Sequence, residues 1–172
     1  MSDTQKDADM TGGVTNVVFA GLGGQGVLKA ADILAEAAFQ AGYDIKKAEV
    51  HGMSQRGGFV MSDVRFGDNV LSPMVPPGEA DILVMLADSQ LEGARIRLKD
   101  GGTVLLASSI NLETLPTKRA FNVAMLGQLS VYLKIPEAIW EKALKVSLPE
   151  KVWEANQKAF EIGRAAVGCP KA

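Results

Sequence analysis

The run Thr15–Ala20 (TNVVFA), the hexapeptide Gly21-Leu22-Gly23-Gly24-Gln25-Gly26 and the apolar-rich stretch Val27–Ala41 follow one another without a gap. This succession constrains the fold more than any other feature of the chain. β-Branched and aromatic residues without polar alternation mark a strand covered on both faces, as in a parallel sheet. Between Val27 and Ala41 the polar residues Lys29, Asp32, Glu36 and Gln40 recur every three or four positions, among Ala30, Ile33, Leu34, Ala37, Ala38 and Ala41. That spacing predicts a helix showing water only a narrow stripe. Gly42 stops it, and Tyr43–Val50 supplies a second, more polar strand. Strand, tight turn, helix, strand is a right-handed crossover unit and predicts that the two strands pair in parallel.

Further along, Ala80–Leu86 and Gly102–Ala107 read as buried strands, with a helix over Ser89–Leu98 between them. Phe59–Phe66 and Asn69–Leu71 flank Gly67-Asp68, a plausible hairpin turn, and residues 72–78 form an extended, proline-rich connection. The remaining chain is helical. Asn122 is a candidate N-cap for a helix carrying Val123, Leu126, Leu129 and Leu133, while Pro136 and Pro149 suit the first turns of two more. The fold expected is therefore α/β: a Rossmann-like, mostly parallel sheet with helices on both faces, an inserted hairpin and a helical C-terminal part. Residues 14–168 form a single domain between a polar, disordered tail at 1–13, which lacks the apolar segment of a signal peptide, and a short tail at 169–172. In the last helix Val152, Ala159 and Ala166 share a seven-residue spacing, as do Trp153, Phe160 and Val167. This stripe packs on the domain's own sheet; the alternative is a docking face for another subunit, a second copy of the chain included.

Composition removes whole classes of chemistry. One cysteine, Cys169, and one histidine, His51, are too few for a zinc site or an iron-sulfur cluster held by this chain alone. A single thiol gives no disulfide framework, in keeping with a reducing cytoplasm. Eighteen Lys plus Arg against 20 Asp plus Glu give a net charge of −2, so nucleic acid is not an expected partner. No apolar run approaches the ~20 residues that span a bilayer, so no membrane segment is expected.

Two loops carry the remaining possibilities. Gly21–Gly26 fits G-x-G-x-x-G in the right setting, after a strand and before a helix. Glycines admit positive φ and let backbone N–H groups approach a diphosphate, while the helix N-terminus contributes about half a positive charge. A purely structural tight turn would also use glycine. Were the ligand NAD, Glu49 at the end of the second strand stands where an acid binds the ribose, but the chain has no room for a separate catalytic domain. The second loop, His51-Gly52-Met53-Ser54-Gln55-Arg56-Gly57-Gly58, opens beyond the second strand, on the same sheet edge as the glycine turn in a doubly wound fold. Arg56 between glycines suits bidentate contact with phosphate or carboxylate, and Ser54 and Gln55 add neutral donors. A loop that merely caps the sheet is the alternative. His51, with no nucleophile partner, suits a structural or interface role.

Gly21–Gly26, the stretch Glu49–Gly58, Ser72-Pro73, Pro77–Asp81, Asn122–Gly127 and Asn156–Gly163 together resemble the gamma subunit, or gamma-type domain, of the 2-oxoacid:ferredoxin oxidoreductases. The wording is nearest to the beta subunit of the indolepyruvate branch, and the likeness covers nearly all of the chain after the first tail. The resemblance implies a complex that oxidatively decarboxylates a 2-oxoacid with coenzyme A, giving acyl-CoA and CO2 and passing electrons through iron-sulfur clusters to ferredoxin. Thiamine diphosphate with its Mg ion would supply the carbanion chemistry from a partner chain. The thiamine pattern of the family, Gly-Asp-Gly followed by Asn-Asn, is not met by Gly67-Asp68-Asn69. The resemblance further implies a thiamine-binding catalytic subunit and a ferredoxin-like iron-sulfur subunit as partners, and no catalytic residue in this chain. It assigns coenzyme A or anion binding to Gly21, Gly23, Gly24, Gln25, Gly26, Ser54, Gln55 and Arg56, and an interface or active-site-loop role to His51, Gly52, Met53, Gly57, Gly58 and Asn122. Two other readings stay open at this stage: an NAD-binding oxidoreductase or sensor, and a purely structural assembly subunit.

Overall fold

The computed structural model describes residues 13–52 and 57–167. The expected tails, Gly13 apart, and the residues Met53, Ser54, Gln55 and Arg56 lie outside the described residues.

Five strands form one mixed sheet: β1 (Thr15–Leu22), β2 (Asp44–His51), β3 (Phe59–Gly67), β4 (Ala80–Met85) and β5 (Leu98–Leu105), in the order β2-β3-β1-β4-β5. β1 pairs in parallel with β4, and β4 with β5, whereas β3 lies antiparallel to both β1 and β2. Four strands thus share a direction and β3 alone opposes them. The glycine turn leads into α1 (Val27–Gln40) as the spacing predicts.

The crossover from β1 through α1 to β2 does not end in a parallel pair, because β3 takes the place beside β1. The side chains explain the exchange. Val60, Met61, Val64 and Phe66 make β3 apolar on both faces, so it belongs inside the sheet. β2 carries Asp44, Lys46, Lys47 and Glu49 and is nowhere fully buried, which suits an edge that must not pair with a stranger. The inserted hairpin is accordingly β2 and β3, joined across residues 52–58. Asn69–Leu71 is not a strand. Val70 donates its N–H to the Asp44 carboxylate (2.7 Å) instead of to a ladder, and Leu71 stands exposed.

Alternation in β1 divides the core. Val17 and Phe19 face a layer built from α1, α3 (Phe121–Ser130), α4 (Glu137–Ser147) and α5 (Trp153–Ala166). Val18 and Ala20 face a thinner layer with Met61, Val75, Leu83, Met85 and Ala94. That second side is covered by the connection 72–78 and by a broken helical stretch, where the single helix expected over Ser89–Leu98 is three short pieces. These are the 3-10 turn Asp88–Gln90, α2 (Leu91–Ala94) and the 3-10 turn Arg95–Arg97. Gly93 and a burial limited to Ala94 and Arg97 leave little to sustain a regular helix. Arg97 instead reaches the fully buried Asp63 of β3 (2.5 Å) and the carbonyl of Val75 (2.6 Å), while Asp63 accepts the Val75 N–H at 2.8 Å.

The seven-residue stripe of α5 packs inside the domain, on α3 instead of directly on the sheet. Phe160 and Ala159 are buried, and Phe160 meets the fully buried Trp140 with ring centroids 5.6 Å apart. α5 and α3 cross at backbone distance through Gly127 and Gly163. Pro136 and Pro149 stand as N-caps, of α4 and of the 3-10 turn leading into α5. None of the described helices is long and apolar enough to cross a membrane.

Candidate functional site

The glycine turn is held by its own groups. Gln25 Oε1 accepts the N–H of Leu22 (2.7 Å), and the N–H of Gln25 returns to the Leu22 carbonyl (3.2 Å). Gly24 and Gly26 sit at φ of +88° and +79°, which an L side chain rarely adopts. At Gly21 the constraint is space, since a Cβ there would lie 2.8 Å from Gln25 Oε1 and 3.0 Å from Leu86 Cβ. Gly26 is the left-handed N-cap residue of α1, so the helix starts without a side-chain cap and leaves its first-turn N–H groups directed outward.

The two loops meet, as the doubly wound topology predicts. Gly23 N–H donates to the carbonyl of Gly58 at 2.9 Å, and Gly57 stands against Gly23. Gly52 is tied across the hairpin to Phe59 O (2.7 Å). His51 is exposed, its Nε2 3.6 Å from Glu49.

Glu49 does not stand where a ribose-binding acid would. β3 separates β2 from β1, putting Glu49 about two strand spacings, or roughly 10 Å, from the glycine turn. Its carboxylate is also engaged by Lys47 at 2.7 Å, and that hydrogen bond is the chief reason its pKa lies below the ordinary value. Lys47 in turn bonds Asp32 on α1. Partial burial works against its charge, but the two carboxylate hydrogen bonds prevail and its pKa is raised. These groups fasten an edge strand to a helix; they do not line a site.

On the other side of the glycine turn lies a cleft of about 780 Å³. Its floor is Gly24–Gly26 and Leu86, at the carboxyl ends of β1 and β4, where the chain turns from one half of the sheet to the other. Its walls come from Ala107, Ser108, Ile110 and Leu112 after β5, and from Lys118, Arg119, Phe121 and Asn122 around the start of α3. Crevices at such switch points are where open α/β sheets bind ligands. The Asp88 carboxylate shapes one wall by accepting the N–H groups of Ala107 (2.7 Å) and Ser108 (3.1 Å). Ser109 Oγ joins the same wall to Gln128 of α3 at 3.0 Å.

Asn122 is not the N-cap of α3. A 3-10 turn, Lys118–Ala120, precedes the helix, Ala120 is the cap residue, and Asn122 lies within the first turn. From there its Nδ2 reaches the Gly26 carbonyl at 3.2 Å. Lys118 and Arg119 were not legible as site residues from local sequence. They fall in no motif, and only the position of their segment after the last strand places them at the cleft. The lining holds two cations and no carboxylate; Lys118 is paired at 3.4 Å with the exposed Glu113 just outside it, so Arg119 is the stronger reason for the cleft to favour an anion, with an apolar portion against Leu86, Ile110, Leu112 and Phe121.

Fold and cleft define an α/β domain of Rossmann-like architecture with an open cleft at the sheet's switch point. Residues 16–120 match the family described as pyruvate ferredoxin/flavodoxin oxidoreductase. The indolepyruvate oxidoreductase subunit IorB of Thermococcus kodakarensis is 35% identical, over 86% of this chain and 93% of its own length. Pyruvate synthase subunit PorC of Methanothermobacter thermautotrophicus is 31% identical, over 84% of this chain and 91% of its own. Among solved structures, the gamma subunit of a keto/oxoacid ferredoxin oxidoreductase from Geobacter sulfurreducens superposes with a TM-score of 0.76 at 27% identity, over 89% of this chain and 98% of that one. The fold recurs at TM-score 0.78 and 21% identity in a 2-oxoglutarate:ferredoxin oxidoreductase from Magnetococcus marinus, solved with 2-oxoglutarate, coenzyme A and succinyl-CoA bound; this chain spans 32% of that longer one. The chain belongs to the pyruvate ferredoxin/flavodoxin oxidoreductase family, as a gamma-type subunit of a 2-oxoacid:ferredoxin oxidoreductase.

Proposed function

We propose that this subunit binds the anionic portion of coenzyme A and closes over the active site at the interface with a thiamine-bearing partner. The observation that carries the reading is the cleft, with α1's N-terminus on its floor and Lys118 and Arg119 on its wall. Coenzyme A offers a diphosphate and a 3′-phosphate, which match a helix N-terminus and a pair of cations. In this reading Ser54, Gln55 and Arg56 add donors from the second loop. The bond from Gly23 to Gly58 supports placing that loop beside the turn.

The oxidative steps belong to other chains in this proposal. Among the described residues no group of three or more His, Cys, Asp or Glu side chains is placed to hold a metal ion. A thiamine-binding subunit would carry the 2-oxoacid chemistry, and a ferredoxin-like iron-sulfur subunit would pass electrons on to ferredoxin.

The test is kinetic and uses the assembled complex. Losing one charge-assisted contact costs roughly 1.5–3 kcal/mol, so Arg119→Ala and Arg56→Ala should each raise the KM for coenzyme A about tenfold or more at little changed kcat. Unchanged coenzyme A dependence in both variants would refute the assignment. Tight NAD binding by the chain without partners would favour a nucleotide sensor instead.

A further inference from the structure

Asn122 joins two segments that lie 96 residues apart in sequence. Its side chain is more than nine-tenths buried, yet it sits in the cleft lining. Nδ2 donates to the carbonyl of Gly26 at 3.2 Å, and Oδ1 accepts the N–H of Val123 at 3.0 Å. Both ends of the carboxamide are therefore committed within the protein, which fixes its orientation. The Gly26 carbonyl also accepts the N–H of Ala30 (2.9 Å), the first hydrogen bond of α1. Asn122 thus fastens the residue from which α1 starts.

The fit is close on both sides. A Cβ at Gly26 would stand 2.5 Å from Nδ2 and 3.0 Å from Cγ of Asn122, so the glycine leaves the space that the amide fills. Lys118 and Arg119 occupy the 3-10 turn that runs into α3, four and three residues ahead of Asn122. Whatever fixes Asn122 against Gly26 therefore fixes the backbone of the turn that carries Arg119 and Lys118, the latter paired with Glu113 at 3.4 Å, relative to the α1 N-terminus.

We infer that Asn122 is a positioning residue, which holds the α1 N-terminus and the Lys118–Arg119 turn at one separation so that both act on the same bound anion. Two sources of positive potential reinforce each other on one ligand only when their distance is set beforehand; otherwise binding must supply the ordering. The identity of that anion as part of coenzyme A rests on the reading proposed above. The coupling of the two segments does not.

The experiment compares Asn122→Ala, Asn122→Asp, Arg119→Ala and the double variant Asn122→Ala/Arg119→Ala in the assembled complex. Two readouts are taken: amide hydrogen exchange of segments 22–31 and 117–124 without ligand, and coenzyme A kinetics. Asn122→Ala should speed exchange in both segments by tenfold or more and raise the KM for coenzyme A about tenfold, with kcat within twofold. Asn122→Asp keeps the acceptor for Val123 but sets an oxygen against the Gly26 carbonyl, so it should loosen residues 22–31 more than residues 117–124. It also serves should the alanine variant not assemble. In the double variant the KM increase should fall well short of the product of the single effects, because a cation that is no longer held in place has less to lose. Unchanged exchange in residues 22–31, or single effects that multiply fully, would overturn the inference. Failure of the coenzyme A reading is separately visible, because Arg119→Ala would then leave KM unchanged while Asn122→Ala still loosened both segments.

Discussion

The crossing of α3 and α5 allows a prediction whose sign separates two physical effects. Glycine is the poorest helix former after proline, so replacing Gly163 with alanine gains about 1 kcal/mol if helix propensity decides. The structure points the other way. A Cβ on Gly163 would lie 1.8 Å from the carbonyl oxygen of Ala124, 2.7 Å from its carbon and 3.0 Å from the nitrogen of Gln128. Every one of these is backbone, so no side chain can rotate out of the way. Gly127 is the mirror case, its Cβ 2.0 Å from the carbonyl oxygen of Phe160. A comfortable separation is roughly 3.5 Å, so the helices would have to part by more than ~1 Å along a contact that buries Ala124, Ala159 and Phe160. Overpacking costs about 1–3 kcal/mol, and with backbone on both sides the upper end applies. Subtracting the propensity gain leaves a net loss of roughly 2 kcal/mol, or about 4–8 °C in the unfolding midpoint of a chain this size. Urea and thermal unfolding followed by tryptophan fluorescence would read it, since the fully buried Trp140 touches Phe160 directly. A midpoint equal to or above that of the parent chain would refute the steric argument.

Further outcomes follow from the same geometry. Arg97→Met should destabilise by about 3–5 kcal/mol in urea unfolding, because it strands the fully buried Asp63; adding Asp63→Asn should recover much of that loss. The lowered pKa of Glu49 means that its pairing with Lys47 stabilises the fold above the usual carboxylate range and is lost as pH falls through the folded-state value. Glu49→Gln should therefore lower the unfolding midpoint slightly at neutral pH and flatten the curve on the acid side, the difference from the parent chain closing as pH falls below about 4.5. In the proposed division of labour, the chain purified alone should reduce no dye with any 2-oxoacid and coenzyme A, and activity should appear when the thiamine and iron-sulfur subunits are added. Turnover by the isolated chain would end that reading.

What the sequence discloses here depends on how far apart the interacting residues are. β1, the glycine turn and α1 are legible because strand, turn and helix are consecutive, and each is specified by its own residues. The place of β3 is not, since pairing order is a contest between distant segments. The clue was nevertheless present: Lys46, Lys47 and Glu49 mark β2 as an edge, while Val60, Met61, Val64 and Phe66 mark β3 as interior. The same distinction applies to the cleft. Gly24–Gly26 declare themselves locally, whereas Lys118 and Arg119 acquire meaning only once the path after β5 carries them back over the first turn. Asn122 falls between these cases, because its residue type suggests a helix start but its bond to Gly26 is a tertiary fact.

The composition of the cleft bears on how this subunit would work within a complex. Its polar groups are first-turn N–H groups, the Gln25, Ser108 and Asn122 side chains and two cations, and its lining includes no carboxylate, imidazole or thiol. Such groups attract and orient an anion through hydrogen bonds and charge. Of the acids beside the walls, Asp88 is occupied with the N–H groups of Ala107 and Ser108, and Glu113 pairs with Lys118 at 3.4 Å. If this cleft serves coenzyme A as proposed, the pH dependence of binding should follow the ligand's own phosphate and not a group of the protein, while the pH dependence of turnover belongs to the partner that holds thiamine diphosphate. In that proposal the subunit brings geometry and charge and leaves proton transfer to the partner it would cover, so exchanging it between complexes should leave the acid-base chemistry of the oxoacid site unchanged.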